Sequence, residues 1–499
     1  MLQRLKELLF TNRGARQTVM KNAFWLSVSN IGGRLIRAVI IIYAARVLGA
    51  AGYGVFSYAL GLAGFFTIFA DIGINAILTR NVARDPAQDR EFFATAFWLK
   101  VALLLGTALV VVFAAPHFSN IPEATVLIPF VALLTIADGT REFCNSYFRA
   151  KEKMEREAII TTTMNVAITG IGFAALALSA TSYSFTMAYV GSSALGALAG
   201  IVILRKEFAG VFAFFRRSLI RPIMNSALPI AFLAVLGSLS LNVDMIMLGW
   251  WRTPEELGFY AAAQKIVQVL VTFPGIIAAS VFPALARFIG AHEKEREINL
   301  VEKSVALLLF LALPLAVGGM VLSNSIIGFL YGNEYLPASL SFQFLIAMLL
   351  FVFPGSIFGN FLLAHDQQKK FAPVALFASL GNVFFNVLLI PRFGIAGAAV
   401  ATLIMQGFSN LSLWHITKRI TPFRIFFHIK KIAIATVAMG IATFLMDALK
   451  VNVLLNIAIS GGIYLLSLYA LKEHLVMEFK TLLGLAKKGD ENMGAVAPL

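Results

Sequence analysis

Among 499 residues there is one cysteine, Cys144. That excludes a disulfide framework and any multi-cysteine metal site, and a lone Cys in an apolar stretch reads as a small filler. Charge is scarce as well. Asp, Glu, Lys and Arg make up 13% of the chain against 59% hydrophobic residues, and the mean hydropathy is +0.82. Soluble domains carry about a quarter charged residues, so a soluble enzyme is excluded at the outset. Acids are the scarcer sign, 26 against 41 bases. No glycine-rich loop leads into a Lys-Ser/Thr pair, so this chain hydrolyses no nucleotide. Long polar connections are missing too. The longest expected outward one, Ser323 to Ser339, holds a single carboxylate, Glu334, and no acid–base pair for a sugar polymerase or ligase.

What is present is hydrocarbon. Fourteen apolar stretches can be read, near 24–45, 53–78, 93–115, 124–148, 158–180, 184–204, 222–250, 258–283, 304–323, 340–363, 371–390, 395–414, 431–449 and 453–471. Each approaches or exceeds the roughly 20 residues that cross a bilayer as a helix. The expected fold is therefore all-α: a polytopic membrane protein of about fourteen spans. Its expected parts are an amphipathic segment 1–22, a first lobe 23–221 (spans one to six), a second lobe 222–420 (spans seven to twelve), two further spans in 421–475, and a tail 476–499. The N-terminal stretch does not read as a secretory signal, because its basic region is long and Arg34 and Arg37 interrupt the apolar run.

The bases orient the chain. If the N-terminus is cytoplasmic, 32 of the 41 Lys and Arg fall in inward segments and four (Arg46, Arg252, Arg392, Lys450) in outward ones. The positive-inside rule then places both termini in the cytoplasm, in a protein whose expected location is the plasma membrane. This asymmetry also accounts for most of the net charge of +15, so nucleic acid is not needed as a partner.

Five bases lie inside spans: Arg34, Arg37, Lys100, Arg141 and Lys265. In span four, Asp138, Arg141, Glu142 and Asn145 are spaced i, i+3, i+4, i+7 and share one helical face. Ending this span before Asp138 would leave about 14 residues or ~21 Å, too short to cross, so the stripe lies within the membrane. Charges there are costly and should face a bundle interior or water. Span one places Asn30, Arg34 and Arg37 on one face. Span two carries Asp71, and span eight carries Gln264 and Lys265. Lys100 and Asp244 stand alone in spans three and seven, and Lys100 is close enough to Arg90 to snorkel toward the cytoplasm. The polar stripes of spans eleven (Ser379, Asn382, Asn386) and twelve (Thr402, Gln406, Asn410) read as interhelical packing. Arg34, Arg37, Arg141, Lys265, Asn30 and Gln264 form the expected substrate-binding cavity, a cationic lining suited to a phosphate or pyrophosphate. Asp138, Glu142, Asn145, Asp71 and Asp244 are the expected coupling or gating residues. No cofactor is expected. With no nucleotide site, transport draws on the lipid gradient or on a proton or sodium gradient.

A faint internal repeat links the halves. "AAGYGVFSYA" (50–59) before span two matches "EELGFYAAA" (255–263) before span eight, an offset of 204 residues. Two like lobes with polar residues facing inward are a recurrent transporter layout.

Three stretches resemble bacterial polysaccharide-transporter flippases: residues 45–85, beginning "ARVLGAAGYGVFSYA"; residues 242–287, beginning "NVDMIMLGWWRTPEELGFYAAAQK"; and "IPRFGIAGAAVATLI" (390–404). The likeness covers essentially the whole chain and points to the superfamily of multidrug, oligosaccharidyl-lipid and polysaccharide exporters. It implies two six-helix lobes around a central cavity with spans thirteen and fourteen appended. It also implies an O-antigen-type flippase that moves undecaprenyl-pyrophosphate-linked sugars to the outer leaflet by alternating access. Membrane lipids, the lipid-linked oligosaccharide, a polysaccharide polymerase and glycosyltransferases are the implied partners. By resemblance to lipid II flippases, Arg34 matches a functional arginine of span one. Lipid II flipping is the nearest alternative. A multidrug cation antiporter is less favoured, because it would prefer an acidic, aromatic cavity.

Overall fold

The computed structural model describes residues 14–424 and 426–473, and its regular structure is helical. Segments 1–13, 425 and 474–499, which include most of the expected amphipathic N-terminus and the tail, lie outside the described residues. The principal helices are α1 (Ala15–Phe66), α2 (Ile74–Arg84), α3 (Asp89–Ala114), α4 (Pro122–Ala150), α5 (Met154–Leu178), α6 (Ser182–Ile203), α7 (Ile220–Trp251) and α8 (Pro254–Leu270). They continue as α9 (Thr272–Gly290), α10 (Lys294–Val321), α11 (Ala338–Ala347), α12 (Leu349–Ala364), α13 (Gln368–Ile420), α14 (Phe426–Ala448) and α15 (Val453–Ala470).

Twelve helices among the described residues are long and apolar enough to cross a membrane. Two of them are each a pair of expected spans joined at one glycine: α1 turns at Gly49 (φ 67°) and α13 at Gly394 (φ 58°). Only glycine takes this left-handed backbone cheaply. Spans one and two, and eleven and twelve, thus run on almost without a loop. The first turn is clamped from the 330–336 connection. The Glu334 carboxylate accepts a hydrogen bond from the Ala50 amide at 2.9 Å, a favourable place for a negative charge at a helix start. Arg46 Nε donates to the Leu330 carbonyl at 2.7 Å and the Tyr335 hydroxyl to the Ala45 carbonyl at 2.7 Å. Glu334, unpaired in the sequence reading, serves as this clamp.

The helices gather into two compact units. One takes the described residues up to Val269 with Leu330–Ala338 and Ala375–Thr402; the other takes Leu270–Phe329, Ser339–Val374 and the described residues from Leu403 onward. Compactness therefore divides the chain elsewhere than at the expected lobe boundary near residue 221. The repeat explains part of the difference. A Cβ on Gly54 would stand 1.8 Å from the Pro254 carbonyl oxygen, and one on Gly258 2.0 Å from that of Ala50. Gly54 and Gly258, 204 residues apart, each abut the residue four places before the other, so the motif glycines are where α1 and α8 touch backbone to backbone. The second unit has its own core, with Ile432, Met439, Tyr464 and Leu468 packed on Phe310, Leu313 and Val317.

The second membrane crossing is broken. After Phe66 the chain turns through residues 67–73, with positive φ at Ile72 (39°) and Gly73 (85°), before resuming as α2. A β-branched residue in that conformation is strained, and irregular backbone at membrane depth persists only where protein or a cavity surrounds it.

Candidate functional site

All the expected site residues fall in the first unit. Arg34 and Arg37 project from α1 one turn apart. Arg37 donates from Nε and Nη2 to Asn165 Oδ1 on α5, at 3.1 and 2.5 Å. On α8, Lys265 Nζ donates to Gln268 Oε1 at 3.3 Å, and Arg37 and Arg34 lie within electrostatic reach of its ammonium group. Three cations thus converge, and the partners of Arg37 and Lys265 are neutral amides. Amides fix a cation's position without cancelling its charge, which leaves it available to an anion. Lys265, Gln264 and Gln268 line a cavity of about 190 Å³ with Tyr53, Ser57 and Asn242. The Asn30 side chain lies outside the described residues.

Arg141 does not share this character. Its guanidinium lies 3.4 Å from Asp138 and 3.7 Å from Glu142, so its charge is spent on acids of its own helix. The stripe continues as a chain of pairs: Glu142 to Arg149 at 2.7 Å, then Arg149 to Glu157 on α5 at 2.5 Å. Ser193 on α6 donates to Asp138 at 2.5 Å, and buried Asn145 donates to Glu142 at 3.4 Å. Tyr189 is within electrostatic reach of both Arg37 and Asp138, so the network abuts the cationic cluster. The stripe spacing was legible in the sequence. The Arg149–Glu157 link was not, because it joins two helices.

Lys100 does not snorkel. It is buried and donates to Asp71 at 2.8 Å, directly at the break in the second crossing. The lysine's reach toward the cytoplasm loses to an acid that would otherwise lie stranded in hydrocarbon. Asp71 also accepts a long hydrogen bond, 3.4 Å, from the Asn75 amide at the start of α2.

Asp244 does not stand alone either. It is 2% exposed, and its Oδ1 accepts from Asn386 Nδ2 at 2.7 Å. Its Oδ2 accepts from the Tyr260 hydroxyl at 2.7 Å and the Thr402 hydroxyl at 2.6 Å. Asn386 also donates to Asn382 Oδ1 at 3.0 Å, while its own Oδ1 is buried without a partner. Asn382, Asn386 and Thr402 read in the sequence as packing residues, and the structure makes them, with Tyr260, the partners of a buried acid and of one another. The overlooked signal was that a lone acid inside a span requires donors from neighbouring helices. The cluster offers one carboxylate, two hydroxyls and one orphan amide oxygen, oxygen ligands of the kind a small hard cation takes. No group of three or more His, Cys, Asp and Glu gathers among the described residues.

Two family models match the chain: that of the polysaccharide biosynthesis proteins over residues 19–289 and the MatE model over 229–391. The chain is 24% identical to the probable low-salt glycan biosynthesis flippase Agl15 of Haloferax volcanii over 387 residues, 77% of this chain and 80% of the relative. It is 21% identical to the capsular polysaccharide biosynthesis protein CapF of Staphylococcus aureus, over 81% of this chain and all of the relative. In fold it is similar to a lipid II flippase, MurJ, in an inward closed conformation, with a TM-score of 0.75 at 17% identity over 90% of this chain and 99% of that one. The apolar helices, the all-helical fold and a match over more than half the chain lead to one conclusion: this multi-pass membrane protein belongs to the polysaccharide biosynthesis protein family.

Proposed function

We propose that the protein flips an oligosaccharide linked through pyrophosphate to undecaprenol from the cytoplasmic to the outer leaflet by alternating access, with both termini in the cytoplasm. The observation that carries this reading is the convergence of Arg34, Arg37 and Lys265 beside a polar cavity. A multidrug cation would be repelled there, whereas a pyrophosphate leaving water finds charge and amide donors in its place. The flippase names of the relatives support the substrate class, and the sugar is read by the amides and hydroxyls of Gln264, Gln268, Asn242 and Ser57.

For coupling, the Asp244 cluster is the site we favour for a sodium ion. Asp244, Thr402 and the free Oδ1 of Asn386 would hold it, and bound cation would supply charge compensation for the buried carboxylate. The Asp138–Arg141–Glu142 network is the gating candidate. Asp71, neutralised by Lys100, reads as structural.

The test is transport of undecaprenyl-pyrophosphate oligosaccharide in proteoliposomes. Arg34→Gln and Lys265→Gln should each abolish flipping in protein that remains folded, and Arg34→Lys should retain part of it, because a point charge replaces a fork. Normal flipping by both neutral variants would refute the reading. Running lipid II as a competing cargo decides the alternative substrate.

A further inference from the structure

The packing of α1 beyond Gly49 against α7 separates two cavities of opposite character. Ser57 and Gly61 of α1, with Asn242 and Met245 of α7, face the polar cavity that holds Lys265. Phe65 and Phe69 of α1 and the following turn, with Val243 and Trp250 of α7, face away from it, onto a second cavity of about 880 Å³. Helix α3 closes this second cavity with Leu103, Gly106, Thr107 and Val110, one turn to three turns beyond Lys100. Thr107 and Trp250 bring the only side-chain polar atoms among its lining residues.

Water does not fill such a space, since a buried water needs two to four polar partners. The broken backbone at Ile72 lies on the cavity wall, so the cavity is part of what shelters it. The cavity also opens sideways: Phe69, Val110 and Val387 on its rim are 41%, 48% and 47% exposed. Hydrocarbon is the occupant these walls fit.

The wall between the cavities is thin and made with small residues. A Cβ on Gly61 would stand 3.0 Å from Met245 Cγ, and one on Gly64 2.9 Å from Asn242 Oδ1. The Ser238 hydroxyl donates to the Gly64 carbonyl at 3.4 Å. Small residues let helices meet closely without interlocking side chains. A seam of this kind can part and reclose.

We propose that the 880 Å³ cavity holds the polyprenyl chain of the cargo while its pyrophosphate sits at Lys265, the linking bond passing through the α1–α7 seam. The proposal rests on the flippase reading above. An ordinary phospholipid does not fit both cavities, because its headgroup stays at the membrane surface. Lys265 lies eleven residues inside the Pro254 end of its crossing, roughly 16 Å deep. Only a lipid whose head has left the surface can place charge there and chain across the seam.

The test uses a benzophenone-tagged polyprenyl pyrophosphate photolinked to the full chain in proteoliposomes. Label should map to residues 65–72 and 102–110 and be competed by untagged polyprenyl pyrophosphate. Gly106→Phe grows into open space, with nothing within 4 Å of its Cβ, and should cut this label at least tenfold at an unchanged unfolding midpoint. Competable label on other helices would overturn the seam route and leave the flippase reading standing. Absence of any competable label would overturn both. Equal labelling of the same residues by a photoreactive phosphatidylcholine would overturn the assignment in favour of annular lipid. As a second reading, Gly61→Cys with Met245→Cys, whose Cβ atoms would be 3.4 Å apart, should stop transport on oxidation and restore it on reduction; full transport by the oxidised pair would also overturn the route.

Discussion

Replacing Lys100 by Met removes the ammonium group that lies 2.8 Å from the Asp71 carboxylate and leaves that acid beside a broken helix. The magnitude follows from burial. The Lys100 side chain is 3% exposed and that of Asp71 28%. At an effective dielectric near 20, the attraction at this distance is about 6 kcal/mol, most of it offset by the several kcal/mol lost in desolvating each ion. The intact pair therefore contributes little net stability, but removing one partner should cost about 3–5 kcal/mol. Lys100→Met belongs at the lower end, because Asp71 keeps some access to its surroundings. Even about 3 kcal/mol is more than a hundredfold in the folded-to-unfolded ratio. Asp71→Asn strands the more buried Lys100 and should cost more. The double variant, with neither charge, should recover most of the loss. Reversible unfolding in mixed micelles, followed by the fluorescence of the five tryptophans, measures the cycle. Additive single effects, with coupling inside the roughly 0.5 kcal/mol expected of independent sites, would refute the ion-pair account of the break. Loss of gradient response in a double variant that is folded and still flips would show that Asp71 couples transport rather than only holding the helix.

Other outcomes are equally specific. With Cys144 buried, a cysteine at Asn333 should be the one labelled from outside intact cells by an impermeant thiol reagent; labelling only after permeabilisation would invert the topology. Asp138→Asn with Glu142→Gln should alter the response of flipping to an imposed proton or sodium gradient; an unchanged response assigns these acids to packing. Sodium should raise the unfolding midpoint of the wild type and not of Asp244→Asn, and equal shifts would remove the ion from this site. Gly258→Val, with its Cβ forced to 2.0 Å from the Ala50 carbonyl, should cost more than the ~1–3 kcal/mol of ordinary overpacking, and a wild-type melting curve would show that the α1–α8 contact is dispensable.

The sequence alone determined the class of molecule. Span length, loop charge and the scarcity of acids are local or additive properties, so the crossings could be read before any packing was known; span one and span two read as distinct, and they fold as two helical segments that meet at the Gly49 turn. The stripe from Asp138 to Asn145 was legible for the same reason, since one helix sets its own spacing. Tertiary structure alone decided which charges meet. Lys100 finds Asp71, 29 positions away, and Arg149 bridges to Glu157 on the next helix. Asp244 collects donors from residues up to 158 positions distant. Helical periodicity says which face a residue occupies but not which helix lies opposite. In hydrocarbon that neighbour determines whether a charge is spent on a partner, as Arg141 is, or held by neutral amides, as Arg37 and Lys265 are.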